Sequence, residues 1–134
     1  MTKINFLDSN VCVYSFDESQ PSKQQIAFDL LGTNAFISSQ VVIETYNACK
    51  RKLKLPEIIC EKTILALTEI CRIVSINEST IIKAIELKNK YQFSFLYAVI
   101  VASALNANCT TLYTEDMQHN QVIENTLTIC NPFV

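Results

Sequence analysis

Between Phe93 and Ala107 the chain reads FSFLYAVIVASALNA, a stretch without a single charged side chain. A helix that is apolar around its whole circumference has no face to offer water, so it belongs inside a protein core or a bilayer. A bilayer span needs roughly 20 such residues, and this run is shorter. The segment is therefore predicted to be a buried helix, one that needs other elements to cover it. The opening residues, MTKINFLDSN, lack the apolar core of roughly 7 to 15 residues that a signal peptide carries, and Asp8 falls where that core would run. A cytoplasmic protein with no membrane association is expected.

The chain has 134 residues, one glycine (Gly32) and three prolines, with no repeat and no linker-like tract. A chain of this length buries roughly two-thirds of its unfolded surface in one core, so a single domain over residues 1–134 is expected. The formal net charge of -2 argues against broad capture of nucleic acid by a basic surface. A local patch remains available in Lys50, Arg51, Lys52 and Lys54, although cations also suit a helix C-terminus. The six cysteines (Cys12, Cys49, Cys60, Cys71, Cys109 and Cys130) include no C-x-x-C pair, and the one histidine, His119, is ten residues from Cys109. They read as small buried side chains in a reducing compartment, not as disulfides or a zinc site, and His119 reads as a loop residue.

Around the apolar helix, short apolar runs alternate with helical segments. Lys3 to Leu7 is a strand ending at Asp8, which leads into the short apolar helix VCVYSF. Pro21 to Leu31 is a helix with proline in its first turn and Gly32 just past its end. Asn34 to Ser38 is a strand; Gln40 to Lys54 is a helix stopped by Pro56, which opens another running to about Cys71. Arg72 to Ile76 is a strand, and Asn77 or Ser79 caps a helix to about Tyr91. After the helix from Phe95 to Ala107, Thr110 to Thr114 and Thr126 to Ile129 supply the last strands. Strands separated by helices imply an α/β fold, a three-layer α/β/α domain with a parallel sheet of four to five strands.

In open sheets of this kind the ligand crevice lies beyond the carboxyl ends of the strands. Asp8 ends the first strand, and Glu115 and Asp116 follow the strand TTLYT. Glu44, one turn in from Gln40, stands within reach of the same edge. Carboxylates that converge repel one another unless a cation neutralises them. Hard oxygen ligands suit Mg²⁺ or Mn²⁺, which complete their shells with water and substrate phosphate, and phosphodiester hydrolysis is the chemistry such a site serves. No glycine-rich phosphate loop is present, so a nucleoside triphosphate enzyme is disfavoured. A phosphotransfer domain of the haloacid or response-regulator type also places acids at strand ends, but LDSN offers only one acid.

Three blocks in order resemble the PIN-domain family, in particular toxins of the VapC type: FLDSNVCVYSF (6–16), FISSQVVIETYNACKRK (36–52) and SFLYAVIVASALNANCTTLYTEDMQHNQVIENTLTICNPF (94–133). The last is the most specific, since family members read similarly through a serine-aromatic-tryptophan-aspartate-alanine start, an apolar helix, LYTEDMQHGQ and a closing NPF. The resemblance implies a metal site of four acids in an endoribonuclease. Asp8, Glu44 and Asp116 match three of them, as metal ligands and catalytic residues. The fourth position falls on Tyr97, and Leu96 replaces the usual tryptophan. Asn10 and Thr114 match positions that help hold the acids in the family.

Tyr97 removes one negative charge and one hard oxygen ligand from such a site, because a phenol with a pKa near 10 is neutral. Glu115 is a conceivable substitute, although neighbours on an extended strand point to opposite sides. The expectation is a Mg²⁺- or Mn²⁺-dependent endoribonuclease toxin of a type II toxin-antitoxin pair, impaired here by Tyr97. Its expected partners are a structured RNA such as a tRNA, a cognate antitoxin and a second copy of itself. The alternative is a non-catalytic PIN module that binds RNA or a protein partner.

Overall fold

The computed structural model describes residues 2–134. In chain order the elements are β1 (Asn5–Leu7), α1 (Ser9–Tyr14), α2 (Pro21–Leu31), β2 (Phe36–Ser38), α3 (Ser39–Arg51), α4 (Glu57–Ile70), β3 (Arg72–Val74), α5 (Glu78–Tyr91), α6 (Phe95–Asn106), β4 (Thr111–Tyr113), β5 (Val122–Ile123) and β6 (Leu127–Cys130). The strands form one sheet in the order β3-β2-β1-β4-β6-β5. Every neighbouring pair is parallel except β5 with β6.

Parallel strands are covered on both faces, so their side chains need not alternate in polarity. Phe6 and Leu7 in β1, Ile37 in β2, Leu112 in β4 and Ile129 in β6 are all fully buried. Helices α1 to α4 pack among themselves, and α6 packs against α5 and β2. Helices lie on both sides of the sheet. The apolar run is the buried helix expected: Ala98 to Ala104 is buried without interruption. Its one buried hydroxyl, that of Ser103, donates to the Val99 carbonyl at 2.8 Å, so no polar group is stranded. Among the described residues no helix is long and apolar enough to cross a membrane. All six cysteines are free thiols, and all but Cys130 are buried.

The sheet has six strands instead of four to five, because a short antiparallel strand closes one edge. β5 is only two residues long and is joined to β6 by a turn in which Glu124 and Asn125 take left-handed backbone, with φ of 51° and 60°. The Glu124 carboxylate holds this hairpin to α5, accepting from Lys90 Nζ at 2.7 Å and from the Tyr91 hydroxyl at 2.8 Å. Those two donors hold its pKa down at about 2. α3 ends at Arg51, short of Lys54, whose φ of 54° is left-handed. Pro56 follows directly after Leu55 and caps α4, and a residue before proline avoids helical backbone. Gly32 caps α2 with an ordinary φ of -74°. The left-handed positions fall instead to Asn34, Asn108, Asn120, Asn125, Lys54, Gln92 and Glu124.

Leu112→Ala would open a cavity in the central strand pair and should destabilise the protein by roughly 2 to 5 kcal/mol. Leu65→Ala, at a side chain 63% exposed, should stay within about 0.5 kcal/mol of the parent. Urea denaturation of the two variants measures both; equal losses would contradict this assignment of the core.

Candidate functional site

From β1 the sheet extends through β2 and β3 on one side and through β4 and β6 on the other. The strand order therefore reverses between β1 and β4, where ligand crevices open beyond the strand ends. Parallel pairing sets Leu7 beside Tyr113, so Asp8 and Thr114 emerge together. The Asp8 N–H donates to the Tyr113 carbonyl at 3.0 Å.

Asp8 caps α1 from extended backbone and is only 2% exposed. Its Oδ1 accepts from the Ser9 N–H at 2.6 Å, and its Oδ2 accepts from the Thr114 hydroxyl at 2.8 Å. Burial pushes its pKa up to about 6, against the pull of those two hydrogen bonds, and the charges of Glu44 and Asp116 push in the same direction as burial. Burial is thus the main reason that the charged form of Asp8 is disfavoured, and the two neighbouring acids add to it.

Asn10 and Thr114 lie between the two aspartates. The Asn10 amide donates to Asp116 Oδ2 at 3.0 Å and to Thr114 Oγ1 at 3.1 Å, with Asp8 Oδ2 at 3.4 Å. Thr114 Oγ1 also accepts the Asp116 N–H at 3.2 Å. One amide and one hydroxyl thus hold Asp8 and Asp116 against a common wall.

Glu44 reaches the site from the second turn of α3, and Tyr97 from the first turn of α6. The Ser94 hydroxyl caps α6 by accepting the Tyr97 N–H at 3.3 Å. Gln40 donates to Glu44 Oε2 at 3.3 Å and to the Leu96 carbonyl at 3.4 Å, so it links the two helices. Its own Oε1 is buried without a partner. Asp8, Glu44, Tyr97 and Asp116 line one cavity of about 300 Å³ with Ser9, Ser94, Leu96 and Ile100. Burial first, then the three carboxylates, raise the Tyr97 pKa above its ordinary value, so the phenol is neutral.

The three acids share a cavity but do not close on a point. Among the described residues, no three His, Cys, Asp or Glu side chains come together as a group able to hold one ion. The reason lies in the tethers: Asn10 and Thr114 bind Asp8 and Asp116 to each other, whereas Gln40 holds Glu44 to its own helix. Glu115 faces elsewhere, with its carboxylate taken by the Tyr14 hydroxyl at 2.8 Å and Lys23 at 3.4 Å. His119 accepts the Asn131 N–H at 2.9 Å through Nδ1. Of the basic cluster, Lys50 pairs loosely with Glu57 at 3.8 Å, while Lys52 lines a second cavity beside Asp116, of about 380 Å³. A larger cavity of about 570 Å³, walled by Phe16, Phe28 and Ile59, shares no lining residue with the carboxylate cavity. Sequence reasoning missed Gln40, Ser94 and the Tyr14-Lys23 pair. A serine three residues ahead of Tyr97 at the head of an apolar run is a cap signal that was there to be read; Gln40 meets Leu96 across 56 residues and leaves no local sign.

The PIN domain family model matches residues 6–124. Among solved structures, the chain is similar to a toxin-antitoxin complex from Klebsiella pneumoniae, at 20% identity and a TM-score of 0.72, covering 96% of this chain and 97% of that one. It is also similar to VapBC2 from Rickettsia felis bound to a DNA fragment from its promoter, at 20% identity and a TM-score of 0.66, covering 96% and 99%. A third is VapC20 of Mycobacterium tuberculosis, a sarcin-ricin loop cleaving toxin, at 15% identity and a TM-score of 0.63, covering 84% and 89%. No curated protein matches the sequence. With the family model spanning most of the chain and the fold agreeing throughout, this protein belongs to the PIN-domain family.

Proposed function

We propose that this chain is the VapC-type toxin of a type II toxin-antitoxin pair, with a metal-dependent endoribonuclease site that Tyr97 weakens. The observation that carries this reading is the tie between Asp8 and Asp116 through Asn10 and Thr114, made where the strand order reverses and facing Glu44 across one cavity. The similarity to toxin-antitoxin structures supports it.

The donors suit a hard divalent cation: all are oxygens, and three carboxylates line one cavity. Asp8 and Asp116 would hold Mg²⁺ or Mn²⁺, with Glu44 acting through water, or directly only if it moves from the position in which Gln40 holds it. Once bound, the ion supplies charge neutralisation and a water of lowered pKa. The chain's own residues do the positioning. Asn10 and Thr114 fix the two aspartates, Gln40 orients Glu44, and Lys52, which lines one cavity with Asp116, would offer a cation to an RNA phosphate. The substrate would be a structured RNA such as a tRNA, the protein partners an antitoxin and a second copy of the chain, and the compartment the cytoplasm. The non-catalytic alternative is favoured by Tyr97 alone, a neutral ring in the carboxylate cavity.

The Asp8 carboxyl titrates at about 6 in the folded protein, against 3.8 unperturbed. The folded state therefore binds this proton more tightly than the unfolded chain. The resulting stabilisation is complete below about pH 4 and is lost as pH rises through 6. Relative to Asp8→Asn, the parent should lose on the order of 2 to 3 kcal/mol between pH 4 and 7.5. Millimolar Mn²⁺ at pH 7.5 should restore part of that in the parent and none in the variant. Thermal unfolding across pH reads both effects; parallel pH curves for the two proteins would remove Asp8 from this role.

Tyr97→Asp should place a fourth carboxylate on the cavity wall, raise Mn²⁺ affinity by about 10-fold or more, and switch on RNA cleavage. Near a helix N-terminus the new acid is also favoured, by roughly 0.3 to 1 kcal/mol. The double variant Tyr97→Asp, Asp8→Ala should be silent. If Tyr97→Asp folds, binds Mn²⁺ no better than the parent and leaves total RNA uncut, the nuclease reading fails and the binding module takes its place.

A further inference from the structure

Tyr97 lines two cavities: the carboxylate cavity and a separate one of about 270 Å³ whose wall includes Tyr91, Phe93, Asp116, Gln118 and Gln121. Ser94, Tyr97 and Asp116 are common to both, so an occupant of the second cavity lies directly beside the acidic centre.

The lining chemistry is selective. No lysine or arginine contributes to it, and Asp116 puts a carboxylate in the wall, so a phosphate finds no counter-charge there. Gln118 and Gln121 contribute side-chain amides to the wall, and each carries both donors and an acceptor. An aliphatic guest would cover those amides without pairing them. A flat heteroaromatic ring with donors and acceptors on its edge meets both demands, since aromatic side chains stack on its face and amides pair with its edge.

The platform is also held in place before anything binds. Tyr91 and Phe93 stack on each other, with ring centroids 5.6 Å apart and planes 18° from parallel. The Tyr91 hydroxyl is fixed between the Glu124 carboxylate at 2.8 Å and the Glu124 N–H at 3.0 Å. Between them Gln92 turns the chain in left-handed backbone, with φ of 62°.

We propose that this cavity is a nucleobase subsite: it takes one unpaired base of an RNA strand, stacked against Tyr97 or Phe93 and read at its edge by Gln118 and Gln121. This deepens the proposed function and rests on its RNA part, which the nuclease and the binding module share. The ring at position 97 then has a use of its own.

The test is metal-free. Fluorescence anisotropy in EDTA would compare a labelled single-stranded octaribonucleotide with its abasic counterpart on the full chain. The abasic strand should bind more weakly, Tyr97→Phe should bind as the parent does, and Tyr97→Leu should lose roughly 5- to 100-fold in affinity. Gln118→Ala, at an exposed position, should change the preference among bases. On the unaltered protein, the oligonucleotide should shift the side-chain amide signals of Gln118 and Gln121 in nitrogen-15 NMR, which keeps the test decisive if Tyr97→Leu does not fold. Equal binding of intact and abasic strands, no binding at all, or amide signals that do not move would overturn the proposal. Because no cleavage is measured, an inactive Tyr97→Asp leaves the subsite standing. Cleavage by Tyr97→Asp without base-dependent binding by the parent would sink the subsite and keep the nuclease.

Discussion

The pairing of β1 with β2 on one side and β4 on the other is the constraint from which the rest follows. β1 is buried along its whole length and supplies Phe6 and Leu7 to the core. Its register with β4 brings Asp8 next to Thr114 across 106 residues of sequence. A slip of one residue would exchange the faces of Leu7 and Asp8, putting a carboxylate where the core needs an aliphatic side chain. The same pairing therefore specifies the fold and sets the acids at the strand ends.

That placement puts stability and chemistry in opposition. Asp8 keeps its hydrogen bonds, yet burial and the neighbouring acids make its charged form unfavourable. A fourth carboxylate at position 97 would add to the repulsion. The ring of Tyr97 is neutral and adds no charge to the three acids beside it. A side chain that lightens the electrostatic load also lowers the pull on a cation, and the two effects share one cause.

The parts legible in the sequence are those with local causes. The alternation of apolar runs and helical segments led to the parallel core of the sheet. Asp8 and Asp116 could be placed at one edge because each lies within two residues of an expected strand's end, and of the two caps expected for α5, Asn77 and Ser79, the structure uses Asn77, whose side chain accepts the Thr80 N–H at 3.1 Å. β5 was not legible, since two residues carry no periodicity and their pairing depends on a turn built from Glu124 and Asn125. Nor was the fate of Glu115: its sequence position suggests a site acid, but Tyr14 and Lys23, about a hundred residues away, decide where its carboxylate goes. Gln40 belongs to the same class. Long-range polar contacts are chosen by the assembled fold, and no window of sequence contains them.

The scarcity of glycine reaches beyond the folded state. Among the described residues, seven other than glycine hold left-handed backbone, and Gly32 does not. Four of the seven are asparagine, which accepts that conformation more readily than most residues. Glycine at each position would relax the local backbone but give the unfolded chain more conformations to lose on folding, a penalty of roughly 0.4 to 1 kcal/mol per site. This chain instead carries a little strain in its turns and unfolds into a stiffer ensemble. Part of what holds the acidic centre together is thus a property of the chain when it has no structure at all.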